Sequence, residues 1–338
     1  MSVVAKLIEI GHLVDPVMEE YLKRNLSKAF EEAVLHQIKT GGKRVRPALT
    51  LISCEACGGS KDDAMAAAAA IELTHNYSLI LDDIIDHSEF RRNFPTVWKK
   101  YGLSTAILVA VHYRESISEA LNDTLDPKLF NELLAKTIKI LVDGERLDIL
   151  FEQSGRQDEP YVIENRYKIV TLDDYLDMVY KKTGSLLQTA CVFGALSAKA
   201  SSEIINAFNI YGKNIGNAFQ IGDDILDLFG EEKKIGKKVG KDIIEHKMGN
   251  ILITLTLEEI TDKKDRDLLI SILRKDRVTD ADVSKAIEII SKTNAKKRAE
   301  NMRDKYVEEA IKAINILPES TAKNLLVELA KFISTREY

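Results

Sequence analysis

Residues 201–230, "SSEIINAFNIYGKNIGNAFQIGDDILDLFG", decide the fold class. Apolar side chains recur there every three or four positions, the spacing of one face of an α-helix, and no proline interrupts them. The same spacing runs through "KLFNELLAKTIKILVDGERLDILF", residues 128–151. Alternating runs of apolar and polar β-branched residues, which would mark strands, are scarce. The six prolines (Pro16, Pro47, Pro95, Pro127, Pro160 and Pro318) leave residues 161–317 free of them, which suits long helices. The expectation is an all-α protein in one domain, residues 1–338, of about ten to twelve helices judged from typical helix length. Its best loop candidate is "GRQDEPYVIEN", residues 155–165.

Composition narrows the function classes. With 45% hydrophobic, 30% charged and 7% aromatic residues, the chain matches an ordinary globular protein. No apolar run approaches the roughly 20 residues of a membrane span, and the start lacks a signal-peptide pattern, so a cytoplasmic protein is expected. A net charge of −5 argues against nucleic acid as a partner, and any phosphate site must be local. Cys54, Cys57 and Cys191 read as buried free thiols, because "CEAC" sits in a helical pattern without a second pair.

The opening stretch also carries three aspartates, Asp223, Asp224 and Asp227, inside an apolar helix. About 140 residues earlier "LILDDIIDHSEFRR", residues 79–92, repeats the arrangement with Asp82, Asp83 and Asp86. Asp is a poor helix former and costly to desolvate, so each cluster calls for a cation. Residues four apart lie on one helix face about 6 Å apart, where two carboxylates repel unless a hard ion sits between them. Mg²⁺ takes one or two carboxylates and completes its shell with water and substrate phosphates. His75 shares the stripe of Asp82 and Asp86, and Gln220 that of Asp223 and Asp227. Two such clusters read as facing halves of a metal-diphosphate clamp.

Basic groups accompany both. "GGKRVRP" sets Lys43, Arg44 and Arg46 after two glycines at a turn into a helix, where backbone N–H groups and cations can meet an anion. Arg91 and Arg92 follow the first cluster. Lys181, Lys182 and Thr183 lie in "KKTGSL", and Lys237, Lys241 and Lys247 follow the second cluster in "GKKVGKDIIEHKMGN".

In this order GGKRVRP, H-x-YSL-x-x-DDIID, RR-x-x-PT, GERLD, KKTGSLL, GNAFQIGDDILD and GKKVGKD resemble the trans-prenyl (isoprenyl) diphosphate synthases, over residues 38–255. DDIID without an insertion, together with GKKVGKDIIEHKMGN, is most similar to archaeal short-chain geranylgeranyl and farnesyl diphosphate synthases. The resemblance implies an all-helical prenyltransferase fold around a deep central cavity, working as a homodimer with Mg²⁺, commonly three ions. It implies that Gly42, Lys43, Arg46, His75 and Arg92 bind isopentenyl diphosphate. Asp82, Asp83 and Asp86 of the first motif and Asp223, Asp224 and Asp227 of the second are the implied metal residues. Arg91, Lys182, Lys237 and Lys247 correspond to contacts with the allylic diphosphate, and Thr183 and Gln220 to the groups facing the allylic carbocation.

The implied reaction is 1′-4 condensation of isopentenyl diphosphate with dimethylallyl, geranyl or farnesyl diphosphate. Tyr77, some 8 Å along the helix from Asp82 at about 1.5 Å per residue, would be the floor for the growing chain. Small Ser78 and Thr74 beside it favour a geranylgeranyl product, with farnesyl diphosphate or a C15/C20 mixture as the alternative. A terpene cyclase, a non-catalytic partner subunit and a Mg²⁺-dependent phosphohydrolase are the rivals. The chain departs from the family pattern at Leu81, Asn93 and Trp98, and in "AILVAVHYRESISEAL", residues 106–121. That last helix is expected in the dimer interface.

Overall fold

Helices start and stop where the sequence supplies caps and breakers. The 25-residue Lys61–Ile85 helix opens on a capping box, the Ser60 side chain accepting the Asp63 N–H while Asp63 accepts that of Ser60. Pro16, Pro127 and Pro160 each occupy a first helical turn, where their missing N–H costs nothing. The computed structural model describes residues 2–230 and 239–335. The described residues are all-α, as the periodicity predicts, apart from one hairpin and a single isolated bridge among them, Glu152 with Lys247.

Phe90–Arg91 pairs antiparallel with Phe94–Pro95 in that hairpin. Its two turn residues, Arg92 and Asn93, have φ of 52° and 66°, as a tight hairpin turn requires. Asn93 therefore fits where the family pattern has glycine, since asparagine tolerates this backbone. The described residues hold more helices than the about ten to twelve expected from typical lengths, because several are short: Val97–Tyr101, Pro160–Asn165 and Lys241–Ile244. Pro160–Asn165 also shortens the expected 155–165 loop. Cys54, Cys57 and Cys191 are free, as expected, but only Cys54 and Cys191 are buried, Cys57 being half-buried; desolvation pushes their thiols up to about 12, 11 and 12.

The chain groups into two compact units. The first comprises Met1–Ile138, Leu186–Gly212 and Ala313–Leu329. In it the Lys61–Ile85 helix packs against Val45–Ala56 and Leu103–Asn122, with the small side chains of Ala64 and Ala67–Ala70 buried along its first half. Residues 106–121 lie wholly within Leu103–Asn122. Tyr113 is buried and donates to the Val34 carbonyl (2.9 Å), while a ring nitrogen of His112 meets the Leu22 carbonyl (2.7 Å). Leu103, Ile107, Leu108 and Val111 are exposed on the same helix.

The second unit comprises Lys139–Ser185, Lys213–Lys312 and Ala330–Tyr338. Its core is the Ile251–Glu259 helix, "ILITLTLEE", whose residues Ile251–Leu257 are all buried. A helix apolar on every side has no solvent face and must run through a core. Leu147, Phe151, Met178, Ile221, Ile225 and Leu269 are among the buried side chains of the cluster it belongs to.

Candidate active site

In the first unit the end of Lys61–Ile85 and the two segments after it gather the first aspartate motif and its cations. Asp82 is half-buried and Asp86, which caps the helix, is exposed. Asp83 points inward instead. It is 1% exposed, and Arg91 grips it through Nε to Oδ1 (3.0 Å) and Oδ2 (3.1 Å) and through its second nitrogen to Oδ1 (2.8 Å). Trp98 donates its indole N–H to the Ser88 carbonyl (2.9 Å), tying the hairpin to the helix behind it.

GGKRVRP forms the turn into Val45–Ala56. Its buried Arg44 sits at φ 48° and donates to Asp15 (2.8 Å), Glu72 (3.1 Å) and the carbonyls of Ile38 (3.0 Å) and Gly41 (3.1 Å). Arg44 is thus committed to holding the turn that presents Lys43 and Arg46. Removing one partner of so buried a pair costs about 3–5 kcal/mol. Arg92 donates to the Gly41 carbonyl, and a Cβ on Gly42, at φ +138°, would meet its guanidinium at 2.7 Å. Burial, with Arg46, Arg92, Arg91 and Arg44 around it, pushes the His75 imidazole well below its ordinary 6.5. His75 is therefore neutral among four cations. Tyr77 is half-buried on the same helix; Thr74 is buried and donates to the Ala70 carbonyl (2.8 Å), and Ser78 to that of His75 (2.8 Å).

In the second unit two lysines converge on a residue that the sequence reading left without a role. Asp148 of GERLD, 5% exposed, accepts Lys182 Nζ (2.6 Å) and Lys247 Nζ (3.3 Å). Burial opposes its charge, but the two ammonium groups win and hold the carboxyl well below its usual range. Glu145 takes Lys182 as well (2.8 Å). Lys182 and Thr183 lie in a π-helical turn, Tyr180–Gly184, a distortion often found at functional sites. Gly144 lies against this turn so closely that a Cβ would come within 2.4 Å of the Lys182 backbone nitrogen. Lys247 is held by its bridge to Glu152 and by the Met248 N–H on the Phe151 carbonyl (3.2 Å).

The second aspartate motif divides as the first does. Asp224 is 4% exposed and accepts the Tyr175 hydroxyl (2.8 Å), the Ile251 N–H (3.0 Å) and Gln220 Nε2 (2.9 Å). Gln220 Oε1 in turn accepts the Thr183 hydroxyl (3.0 Å). Asp227 accepts the backbone N–H groups of Lys241 (3.2 Å) and Asp242 (3.1 Å), yet burial and then Asp242 push its carboxyl up to about 7. Asp223 is half-buried. Asn250 caps the Ile251–Glu259 helix and donates to Asp242 (2.8 Å). Lys237 lies outside the described residues.

Asp148, Tyr175, Asp242 and Asn250 were missed as site residues. GERLD and GKKVGKDIIEHKMGN were the signals that could have found three of them; nothing in the sequence marks Tyr175. Among the described residues no three His, Cys, Asp or Glu side chains form a ready-made metal cage. The fit to Mg²⁺ rests on the donors: hard carboxylate oxygens, on Asp82 and Asp86 at the accessible end of a helix, are what this ion takes. No helix among the described residues is long and apolar enough to cross a membrane.

The comparisons with known proteins span nearly the whole chain. Residues 27–290 match the family model described as polyprenyl synthetase. A short chain isoprenyl diphosphate synthase of Methanothermobacter thermautotrophicus is 36% identical, covering 98% of this chain and 99% of its own. A geranylgeranyl diphosphate synthase of Saccharolobus solfataricus is 34% identical over 97% of this chain and 96% of its own. The crystal structure of geranylgeranyl pyrophosphate synthetase from Pyrococcus horikoshii superposes with a TM-score of 0.88 at 35% identity, over 99% of this chain and 98% of that one. With a family model matching most of the chain, and with sequence and backbone alike over nearly its full length, the chain belongs to the polyprenyl synthetase family.

Proposed function

We propose that this protein is a Mg²⁺-dependent short-chain isoprenyl diphosphate synthase that condenses isopentenyl diphosphate 1′-4 with allylic diphosphates, chiefly to geranylgeranyl diphosphate. The observation that carries the reading is the pair of aspartate motifs, each with its own set of cations, in a chain so similar to named synthases. Asp82, Asp86, Asp223 and Asp227 would hold the metal, three ions per site as the resemblance implies, and the ions would neutralise charge on the departing diphosphate. Lys182 and Lys247, released from Asp148, bind the allylic diphosphate, with Arg91 and Lys237 as further contacts. Fixed cations in a water-poor site favour breaking of the allylic C–O bond.

Lys43, Arg46, Arg92 and the Gly42 turn hold isopentenyl diphosphate, beside a neutral His75 that donates or accepts without adding charge. Thr183 and Gln220 present neutral dipoles to the allylic cation. The isopentenyl double bond attacks it, and the proton then lost passes to the released diphosphate, so no separate carboxylate base is required. The whole chain works as one synthase domain. It acts in the cytoplasm as a homodimer, whose interface would cover Leu103, Ile107, Leu108 and Val111.

Incubation of the purified protein with labelled isopentenyl diphosphate, each allylic primer and Mg²⁺ tests the reading. Chain-elongated product that depends on Mg²⁺ is expected; release of phosphate alone, or a cyclic hydrocarbon, would overturn it. With Tyr77→Ala in the same assay, products longer than geranylgeranyl diphosphate are expected. Unchanged length by chromatography of the dephosphorylated alcohols would remove Tyr77 as the floor.

A further inference from the structure

The middle aspartate of the second motif has a different job from its neighbours. Asp224 is all but buried, and three protein donors fill its carboxylate: the Tyr175 hydroxyl and the Ile251 N–H on Oδ2, and the Gln220 amide on Oδ1. A carboxylate receiving three donors offers only acceptors, so Gln220 must turn its NH₂ group toward it. That choice sets the other end of the amide. The Gln220 carbonyl then faces Thr183 and can only accept, so the Thr183 hydroxyl proton is committed to it (3.0 Å). What Thr183 has left is the lone-pair side of its oxygen.

We propose that Asp224 is a positioning residue, not a metal ligand: through Gln220 it fixes the polarity of the Thr183 hydroxyl, so that oxygen rather than hydrogen faces the electron-poor allylic carbon. This rests on the reading that Thr183 faces that carbon. The Ile251 N–H and the Tyr175 ring anchor the chain at its far end, the first as the opening N–H of the buried Ile251–Glu259 helix and the second as a fully buried side chain. In the Asp224→Asn variant an NH₂ donor replaces one of the two accepting oxygens. The new amide must then either forsake Ile251 or reverse Gln220, and reversal would turn the Thr183 hydrogen outward toward the developing cation.

The test is a double-mutant cycle with Asp224→Asn and Thr183→Val, run beside Asp223→Asn, with folding checked by circular dichroism. Asp224→Asn should lower kcat by ~10–100-fold, the scale of one oriented dipole lost from a transition state. Its KM for the allylic diphosphate and its half-saturating Mg²⁺ should stay within about twofold of wild type. The double variant should be within about twofold of Thr183→Val, because residues acting through one hydroxyl are not additive. Asp223→Asn should instead raise the Mg²⁺ requirement and weaken Mg²⁺-dependent binding of inorganic pyrophosphate in calorimetry, which Asp224→Asn leaves unchanged. Additive losses, or an Asp224→Asn shift in Mg²⁺ requirement or pyrophosphate binding like that of Asp223→Asn, would overturn the assignment. If Asp224→Asn does not fold, Tyr175→Phe takes its place in the cycle, with a several-fold smaller loss and the same coupling to Thr183. A wild-type protein inactive with every primer would sink the synthase reading, while the pyrophosphate arm would still separate Asp224 from Asp223.

Discussion

At the scale of single residues, neighbours of one type are set to different tasks by what touches them. Asp83 is gripped by Arg91, whereas Asp82 and Asp86 stand at the accessible end of the same helix. His75 carries a sharper consequence. Its folded-state pKa lies below the ordinary 6.5, because burial and four arginines disfavour the imidazolium. Above that value neither the folded nor the unfolded chain binds the proton, and stability is unaffected. As pH falls below it, only the unfolded chain binds the proton, so stability is lost on the acid side. His75→Asn should therefore flatten the decline of urea midpoints between about pH 6.5 and 5. An identical slope in wild type and variant would mean that the folded protein accommodates a charged His75.

At the scale of elements, close approach decides what the helices can present. Gly144 lets one helix lie against the π-helical turn that carries Lys182 and Thr183. Gly144→Ala should push that turn away and reduce kcat/KM on the order of 10²-fold, the cost of about an ångström of misplacement, with little change in far-UV circular dichroism. Activity within twofold of wild type would show that the turn can give way. Helices of this length were legible beforehand, since their period repeats many times in "SSEIINAFNIYGKNIGNAFQIGDDILDLFG" and proline spares them. The Phe90–Arg91 hairpin was not, because two-residue strands carry no alternation to read. The aspartates were legible by type and spacing, but which of them turn inward was not: Arg91 is eight residues from Asp83, and Tyr175 is 49 from Asp224. Asp148 escaped for the same reason, its lysines being 34 and 99 residues away. A lone carboxylate acquires meaning only from partners that folding brings to it.

At the scale of the whole molecule, the proposed dimer makes a prediction about the Leu103–Asn122 helix. Leu103, Ile107, Leu108 and Val111 recur at helical spacing and are exposed together, a contiguous apolar strip of the kind that marks association. Light scattering at micromolar concentration should give twice the 37.9 kDa chain mass, and Leu108→Glu combined with Val111→Glu should halve it. A monomeric wild type would count against the dimer. The division of labour within the aspartate motifs reaches further, into how such a gene decays. If Asp82, Asp86 and Asp223 serve only the proposed catalysis, a duplicate released from that selection would be free to lose them, but Asp83 still anchors Arg91 and Asp224 still accepts the Ile251 N–H of the core helix. Silent copies would erode around their middle aspartates, so a lone acidic residue in an otherwise apolar helix can be the surviving trace of a lost active site.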